Sequence, residues 1–436
     1  MDSTIALIIV IAIFTLTLLA GLHISSVLIL TGAIGIYLIV GIAPVINLIQ
    51  IDTFSTVASY TLTTIPLFVL MSQFIVHADI VKYLYSLIFI ISRGKSSILG
   101  VFTVILGGFL GAVSGSASAM SAALGQFAVP ELKKHGYNQT FAASIAAAAG
   151  SLATIIPPSI GLIIYGAITQ TSISSLFIGI LIPGIITLAV ISIIVVIIFK
   201  KESKNIGEIQ SNHNTTRYST KNYVVSAITG ILIILSIFGG IYLGIFTPTE
   251  AGGVGAFITL IAAFILKKVN MKFLINSFRE TLKITTMVMM IMVGATIFTR
   301  FVTLSQIPQK LIESLGPLTE SPILIILILL AVFFVAFMFL EGAAAIVMLV
   351  PITLPLVETV GFSALEFGIL ISVVGTAGLM TPPVGISTYA VSGVTGIPSN
   401  KIFNYTLLYA IVISVVVSAI LLLFPQLITW LPSSMN

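Results

Sequence analysis

Residues 111–166 read GAVSGSASAMSAALGQFAVPELKKHGYNQTFAASIAAAAGSLATIIPPSIGLIIYG. Two interruptions stand in this apolar stretch, Ser114-Gly115-Ser116 and Pro157-Pro158. A proline lacks the backbone N–H and clashes with the preceding turn, and it pushes the residue before it out of the α region. Two in a row unwind a helix and release several carbonyl oxygens. The Ser-Gly-Ser element lies inside an apolar block running 97–130. As one helix that block would extend roughly 50 Å at about 1.5 Å per residue, against a hydrocarbon core of about 30 Å. It is expected to fold back at its small-residue tip, as two short arms of a re-entrant hairpin.

Sliding the chain on itself by 225 residues lays Pro130 on Pro355, Gly136 on Gly361, Gly150 on Gly375 and Pro157-Pro158 on Pro382-Pro383. Ser174 falls on Ser399, and the tips coincide, Ser116 on Glu341. Glycine and proline punctuate backbone structure, so their agreement at one offset marks a duplication. The second unit has its own long block, 321–357, broken at Glu341-Gly342-Ala343, and its own double proline inside Thr381-Pro382-Pro383-Val384-Gly385. Five spans separate the units, and an odd number turns the second unit upside down in the membrane. Inverted repeats with broken helices meeting at the midplane are the architecture of secondary transporters.

The chain is 58% hydrophobic and 7% charged over 436 residues, where soluble proteins carry roughly 25% charged residues. This balance excludes a water-soluble fold and indicates an all-α polytopic membrane protein. Ordinary spans are expected near 4–20, 24–42, 54–77, 139–170, 175–199, 222–244, 249–266, 281–301, 366–395 and 402–424. With the two blocks as hairpins and the N-terminus outside, every Lys and Arg except Arg300 and Lys310 falls on one side. The positive-inside rule makes that side cytoplasmic and both termini external. Counting each hairpin as two full spans leaves the loop sides unchanged. Segments 78–95, 267–283 and 303–320 mix charge with apolar residues and read as interfacial helices. Residues 200–221 form the one sizeable polar loop.

Several functions are excluded by what the chain lacks. It has no Cys and four scattered His, so neither a disulfide framework nor a catalytic metal is indicated. No nucleophile–base pair and no Walker A sequence appear, so neither an enzyme nor a direct ATP drive is expected, and no cofactor.

The breaks instead suggest ion binding. Freed carbonyls and neighbouring hydroxyls are hard oxygen ligands for Na⁺ as coupling ion, and half-helix N-termini favour an anion. The first cation site is assigned to Ser114, Ser116, Ser118, Gly150, Ile156 and Ser159, the second to Glu341, Gly342, Gly375, Thr376 and Thr381. A carboxylate substrate is placed near Ser116, Ser159, Gly342 and Gly385. Isolated Ser or Thr in helices commonly bond the carbonyl one turn back, a competing role for each hydroxyl here. Gly111 and Gly115 have the GxxxG spacing of close helix packing. Glu341 is a carboxylate deep in an apolar block, a functional-site hypothesis by default. It could ligate Na⁺, carry a proton or cap its helix. Arg300 can snorkel to the outer interface, and His77 sits at a span end.

At 111–166, and again at EGAAAIVMLVPITLPLVETVGFSALEFGI (341–369) and GLMTPPVG (378–385), the chain resembles the large membrane subunit of tripartite ATP-independent periplasmic (TRAP) transporters, the DctM type, within the ion-transporter superfamily. The family usually carries Asp where Glu341 stands, and often an Asn in the neighbourhood of Val374. The resemblance implies an elevator, with scaffold 1–95, transport unit 96–173, scaffold 174–320, transport unit 321–398 and a C-terminal scaffold helix 399–436. It also implies Na⁺-driven uptake of an organic acid, such as a C4-dicarboxylate or sialic acid, in a bacterial cytoplasmic membrane. Implied partners are a separate small four-helix subunit of DctQ type and a soluble extracytoplasmic binding protein of DctP type. Two other readings share the composition: a stand-alone Na⁺/dicarboxylate symporter and a membrane scaffold with no transport of its own.

Overall fold

The computed structural model describes residues 3–91, 96–203, 218–316 and 320–435, and every regular element among them is helical. Eight helices among the described residues are long and apolar enough to cross a membrane. Their outer faces carry exposed Ile, Leu and Phe side chains such as Ile193, Ile197, Phe257 and Phe264, as lipid contact requires.

Both long blocks are helical hairpins. Ser96–Ser114 and Ala117–Lys134 form the first, Pro322–Phe339 and Gly342–Thr359 the second. The arms hold 18 or 19 residues, about 27 Å each, which is longer than the short arms expected. Pro130 does not end its helix, which runs on to Lys134. At the first tip Gly115 takes φ +62, a conformation that suits glycine. At the second, Leu340 is extended and Glu341 caps the following arm.

Both double prolines break their helices. Gln139–Ser151 gives way to a short 3₁₀ turn at Leu152–Thr154 and resumes as Ile160–Thr169, while Ala364–Gly378 resumes as Ile386–Thr395. The offset of 225 holds in three dimensions: Ala117–Lys134 and Gly342–Thr359 match at both ends. Gly136 and Gly361 end these arms with φ of +84 and +85. The two units pack reciprocally. The second arm of the first hairpin lies on Ile386–Thr395, where a Cβ on Gly125 would meet Val394, and the second arm of the other hairpin lies on Ile160–Thr169, where one on Gly161 would meet Ile346.

The surrounding helices depart from the expected segments in several places. The span expected at 54–77 is Tyr60–His77, because Ser59 is extended; Pro66 then fits the first turn of Thr64–His77, where N–H groups have no helical partner. Ahead of it lies an unanticipated helix, Ile42–Val57, entered through Gly41 at φ +90. The interfacial arm at 267–283 and the span at 281–301 are one continuous 34-residue helix, Met271–Leu304, capped by Asn270. No Gly or Pro stands between Met271 and Val293 to divide it. The arm at 303–320 is reduced to Ile307–Ser314, and a further short helix, Gln426–Ser433, follows the last span. In the arm at 78–95 the helix is Ile80–Ile91; residues 92–95 and 204–217, which include most of the polar loop, lie outside the described residues.

Two ion pairs tie these helices together. Arg300 does not reach for the interface alone; its Nε donates to Asp52 Oδ2 on Ile42–Val57 at 3.2 Å. Lys268 pairs with Asp79, joining the turns that follow Pro248–Ile265 and Thr64–His77.

Candidate functional site

The hairpin tips and the first break open on one cavity of about 430 Å³. Its wall holds Gly115 and Ser116 from the first tip, Glu341 and Gly342 from the second, and Thr154 and Ser159 from the first break. Ser372 and Gly375 contribute from the helix before the second break. The opposite wall comes from surrounding helices: Ser72 and Gln73 on Thr64–His77, with Ile284, Met287 and Val288 on Met271–Leu304.

Three helices start at this cavity: Ala117–Lys134, Ile160–Thr169 and Gly342–Thr359. Ser116 caps the first, its Oγ accepting from Ala119 N at 3.4 Å, and also contacts Ser118 Oγ at 3.2 Å. Glu341 caps the third through Oε2, which accepts from Ala343 N at 3.1 Å. Capping is thus an observed role of this carboxylate. Ser159 does not cap its helix; its Oγ donates to Thr154 O at 3.0 Å across the break. Each N-terminus carries roughly half a positive charge. The cavity therefore offers an anion helix dipoles, and a cation one carboxylate and several hydroxyl oxygens.

The two units meet at a hydroxyl contact. Thr154 Oγ1 and Thr376 Oγ1 lie 2.7 Å apart, one donating to the other, and the accepting hydroxyl donates one turn back within its own segment; Ser151 O lies 2.8 Å from Thr154 Oγ1 and Ser372 O 3.0 Å from Thr376 Oγ1. Thr376 thus sits directly behind Thr154 at the cavity wall.

Other assigned residues lie elsewhere. Gly150 is where two helices touch: a Cβ there would come within 2.1 Å of Ser121 Oγ and 2.5 Å of its backbone nitrogen. Ile156, with Pro157 and Pro158, lines a separate apolar cavity of about 330 Å³. Thr381 turns its hydroxyl to Ala377 O at 2.7 Å. Near Pro382 and Pro383 the freed groups are satisfied within the unit. Ser387 N donates to Leu379 O, Thr388 Oγ1 to Met380 O, and Gly385 N to Met338 O. Gly385, at φ +53, serves that corner and is not in the cavity wall. The side chain of Ser114 lies outside the described residues.

Sequence reasoning missed Thr154, Ser72, Gln73 and Ser372. Ser72-Gln73 carried a signal, a polar pair in the middle of the apolar run Leu67–Val76. Among the described residues no group of three or more His, Asp or Glu is placed to hold a metal ion. The tips present hard oxygen ligands of hydroxyl and carboxylate type.

The family model for the tripartite ATP-independent periplasmic transporter, DctM component, matches residues 10–427. The chain belongs to this family. Its DctM relatives include the C4-dicarboxylate TRAP transporter large permease protein of Pseudomonas aeruginosa, 31% identical over 88% of this chain and 87% of that protein. The sialic acid TRAP transporter large permease protein of Vibrio cholerae is 28% identical over 86% of each. The YdaH transporter of Alcanivorax borkumensis, whose crystal structure shows an unusual topology, shares the fold with a TM-score of 0.70 at 13% identity, covering 89% of this chain and 90% of that one. This DctM-family chain is therefore the large permease subunit of a TRAP transporter, a multi-pass membrane protein and a transporter component, not an enzyme.

Proposed function

We propose that the chain couples Na⁺ entry to uptake of a small organic acid through the cavity between its two hairpin tips. The observation that carries this is the meeting of Ser116, Ser159 and Glu341 at one space that three helix N-termini face. A cation held by the hydroxyls and the carboxylate lies beside an anion held by the dipoles, so each stabilises the other and coupling follows. The substrate class is that named for the relatives, C4-dicarboxylates and sialic acid among them. It is presented by an extracytoplasmic binding protein of DctP type, with a DctQ-type small subunit beside the scaffold, in a bacterial cytoplasmic membrane with both termini outside.

Alternating access is by an elevator. The reciprocal packing of 96–173 on 321–398 supports reading these two segments as one body, which meets Thr64–His77 and Met271–Leu304 partly through direct helix contact and partly across the cavity. Two hairpins entering from opposite sides can share a cavity at their tips when both turn back inside the membrane, which favours re-entrant hairpins over full double spans. Moving one net charge through the field is worth about 2.3 kcal/mol per 100 mV, and a bound carboxylate offsets part of the cation's charge.

Proteoliposomes holding the chain with its small subunit provide the test. Uptake of a labelled C4-dicarboxylate or sialic acid should require both the loaded binding protein and an inward Na⁺ gradient. Uptake without the binding protein would favour the stand-alone symporter. Uptake indifferent to Na⁺ would remove the coupling assigned to the tips.

A further inference from the structure

Beside the central cavity lies a second space of about 600 Å³, and the two share Glu341 and Met287 as common walls. It runs along one face of Met271–Leu304, past Met287 and Thr286 to Lys283, with His23 at the start of Ile24–Val40 on the other side. Lys283 stands one helical turn from Met287, about 6 Å along the axis. Its side chain is 77% exposed, and its ion-pair partner Glu280 is 3.9 Å away and itself 44% exposed. His23 makes no side-chain capping hydrogen bond. The path thus runs from a carboxylate at its inner end to an ammonium and an imidazole at its outer end.

We propose that this groove is the exit path of the anionic substrate, and that Lys283, with His23, draws the carboxylate out of the central cavity. The inference rests on the reading of the chain as a carboxylate importer with its Lys- and Arg-rich side in the cytoplasm. A free anion between the tips is repelled by Glu341 and attracted by Lys283, and low-dielectric walls focus that field along the groove. Arg279 precedes Lys283 by one turn on the same helix and continues the positive potential toward the aqueous side. Lys283 acts here as a specificity-determining residue for release and has no part in holding Na⁺.

The absence of cysteine permits a direct test. A single reporter, Thr286→Cys, is placed on the groove wall of the full chain in membranes that also hold the small subunit. Its reaction rate is measured with two methanethiosulfonates that differ in charge, a sulfonate and a quaternary ammonium, applied from either side. Both should react from the cytoplasmic side alone. The anion-to-cation rate ratio should fall at least about threefold when Lys283→Gln is added, and recover in Lys283→Arg. An unchanged ratio, reaction from the outside, or no reaction from either side would overturn the proposal. Normal Na⁺-driven uptake with an unchanged ratio would refute the groove alone. Charge-selective labelling with no Na⁺-driven uptake in the parent chain would refute the transport reading, and the proposal with it.

Discussion

At Glu341 the carboxylate caps Gly342–Thr359 and lines both cavities, and the proposed function gives the same side chain a second role in ion binding. Two substitutions separate the roles. Glu341→Gln keeps a capping oxygen and loses the charge, so thermal stability in choline chloride should stay near that of the parent while the response to Na⁺ disappears. Glu341→Ala should lose the Na⁺ response and a further 0.5–2 kcal/mol or so of stability, the usual cost of a lost cap. Equal stability of the Gln and Ala variants would show that the cap contributes nothing. Gly150 is a packing site, and Gly150→Ala should destabilise by about 1–3 kcal/mol through overpacking against Ser121, read as a lowered melting temperature in detergent. Ser116, Ser159 and Glu341 were legible in the sequence because each stands at a backbone break, where side chains and helix ends must face something polar. Thr381 and Gly150 carry the same residue-type signal but are committed to Ala377 O and to Ser121, and no spacing rule reveals that. Thr154 was invisible because its partner Thr376 lies 222 residues away.

Among the elements, the hairpins and broken helices were legible because Gly and Pro act locally, through φ and the missing N–H. The continuity of Met271–Leu304 was not. Its charges at Lys272, Arg279, Glu280 and Lys283 look like an interfacial segment, yet without a breaker the helix continues through the membrane and beyond it. Helix Ile42–Val57 was missed because the side-chain bonds that tie it to Met271–Leu304, Asp52 to Arg300 and Thr56 to Thr296 at 3.1 Å, are both long-range. The Lys268–Asp79 pair makes a prediction at this scale. The hydrogen bond from Lys268 to Asp79 raises the lysine's pKa above its ordinary value. Its stabilisation is therefore fully present below the unfolded lysine's pKa of about 10.4 and is lost as pH rises through the higher folded value. Both side chains are about one-third exposed or more, so solvent screening limits the pair to roughly 0.2–1 kcal/mol. The melting temperature of the parent should exceed that of Lys268→Met by a small constant margin up to about pH 10 and converge with it above that. A margin that persists unchanged into strong alkali would assign the effect to packing of the lysine stem.

For the whole molecule, the proposed elevator places its sliding surface at the cavity between the two reciprocally packed units and Met271–Leu304. Cysteines at Met287 and Ala343, on opposite walls of the cavity, should stop uptake when bridged by a short bifunctional thiol reagent that a reductant can cleave, and restore it on cleavage. Uptake unaffected by the bridge would contradict relative motion of the two bodies. The internal duplication was legible at this scale from one offset shared by Gly and Pro, while the asymmetry was not. Both tips reach the cavity, but near the second double proline the carbonyls of Leu379 and Met380 are satisfied by Ser387 N and Thr388 Oγ1. Binding of Na⁺ in the cavity at the tips should be visible in the thermal stability of the purified chain in sodium chloride against choline chloride at equal ionic strength. Binding confined to the native state raises stability by RT ln(1 + [L]/Kd), about 2.7 kcal/mol at a hundredfold Kd. A Na⁺-specific rise in the parent that disappears in Ser116→Ala is the predicted result; equal stability in the two salts, or a rise that survives in both Ser116→Ala and Glu341→Gln, would contradict it.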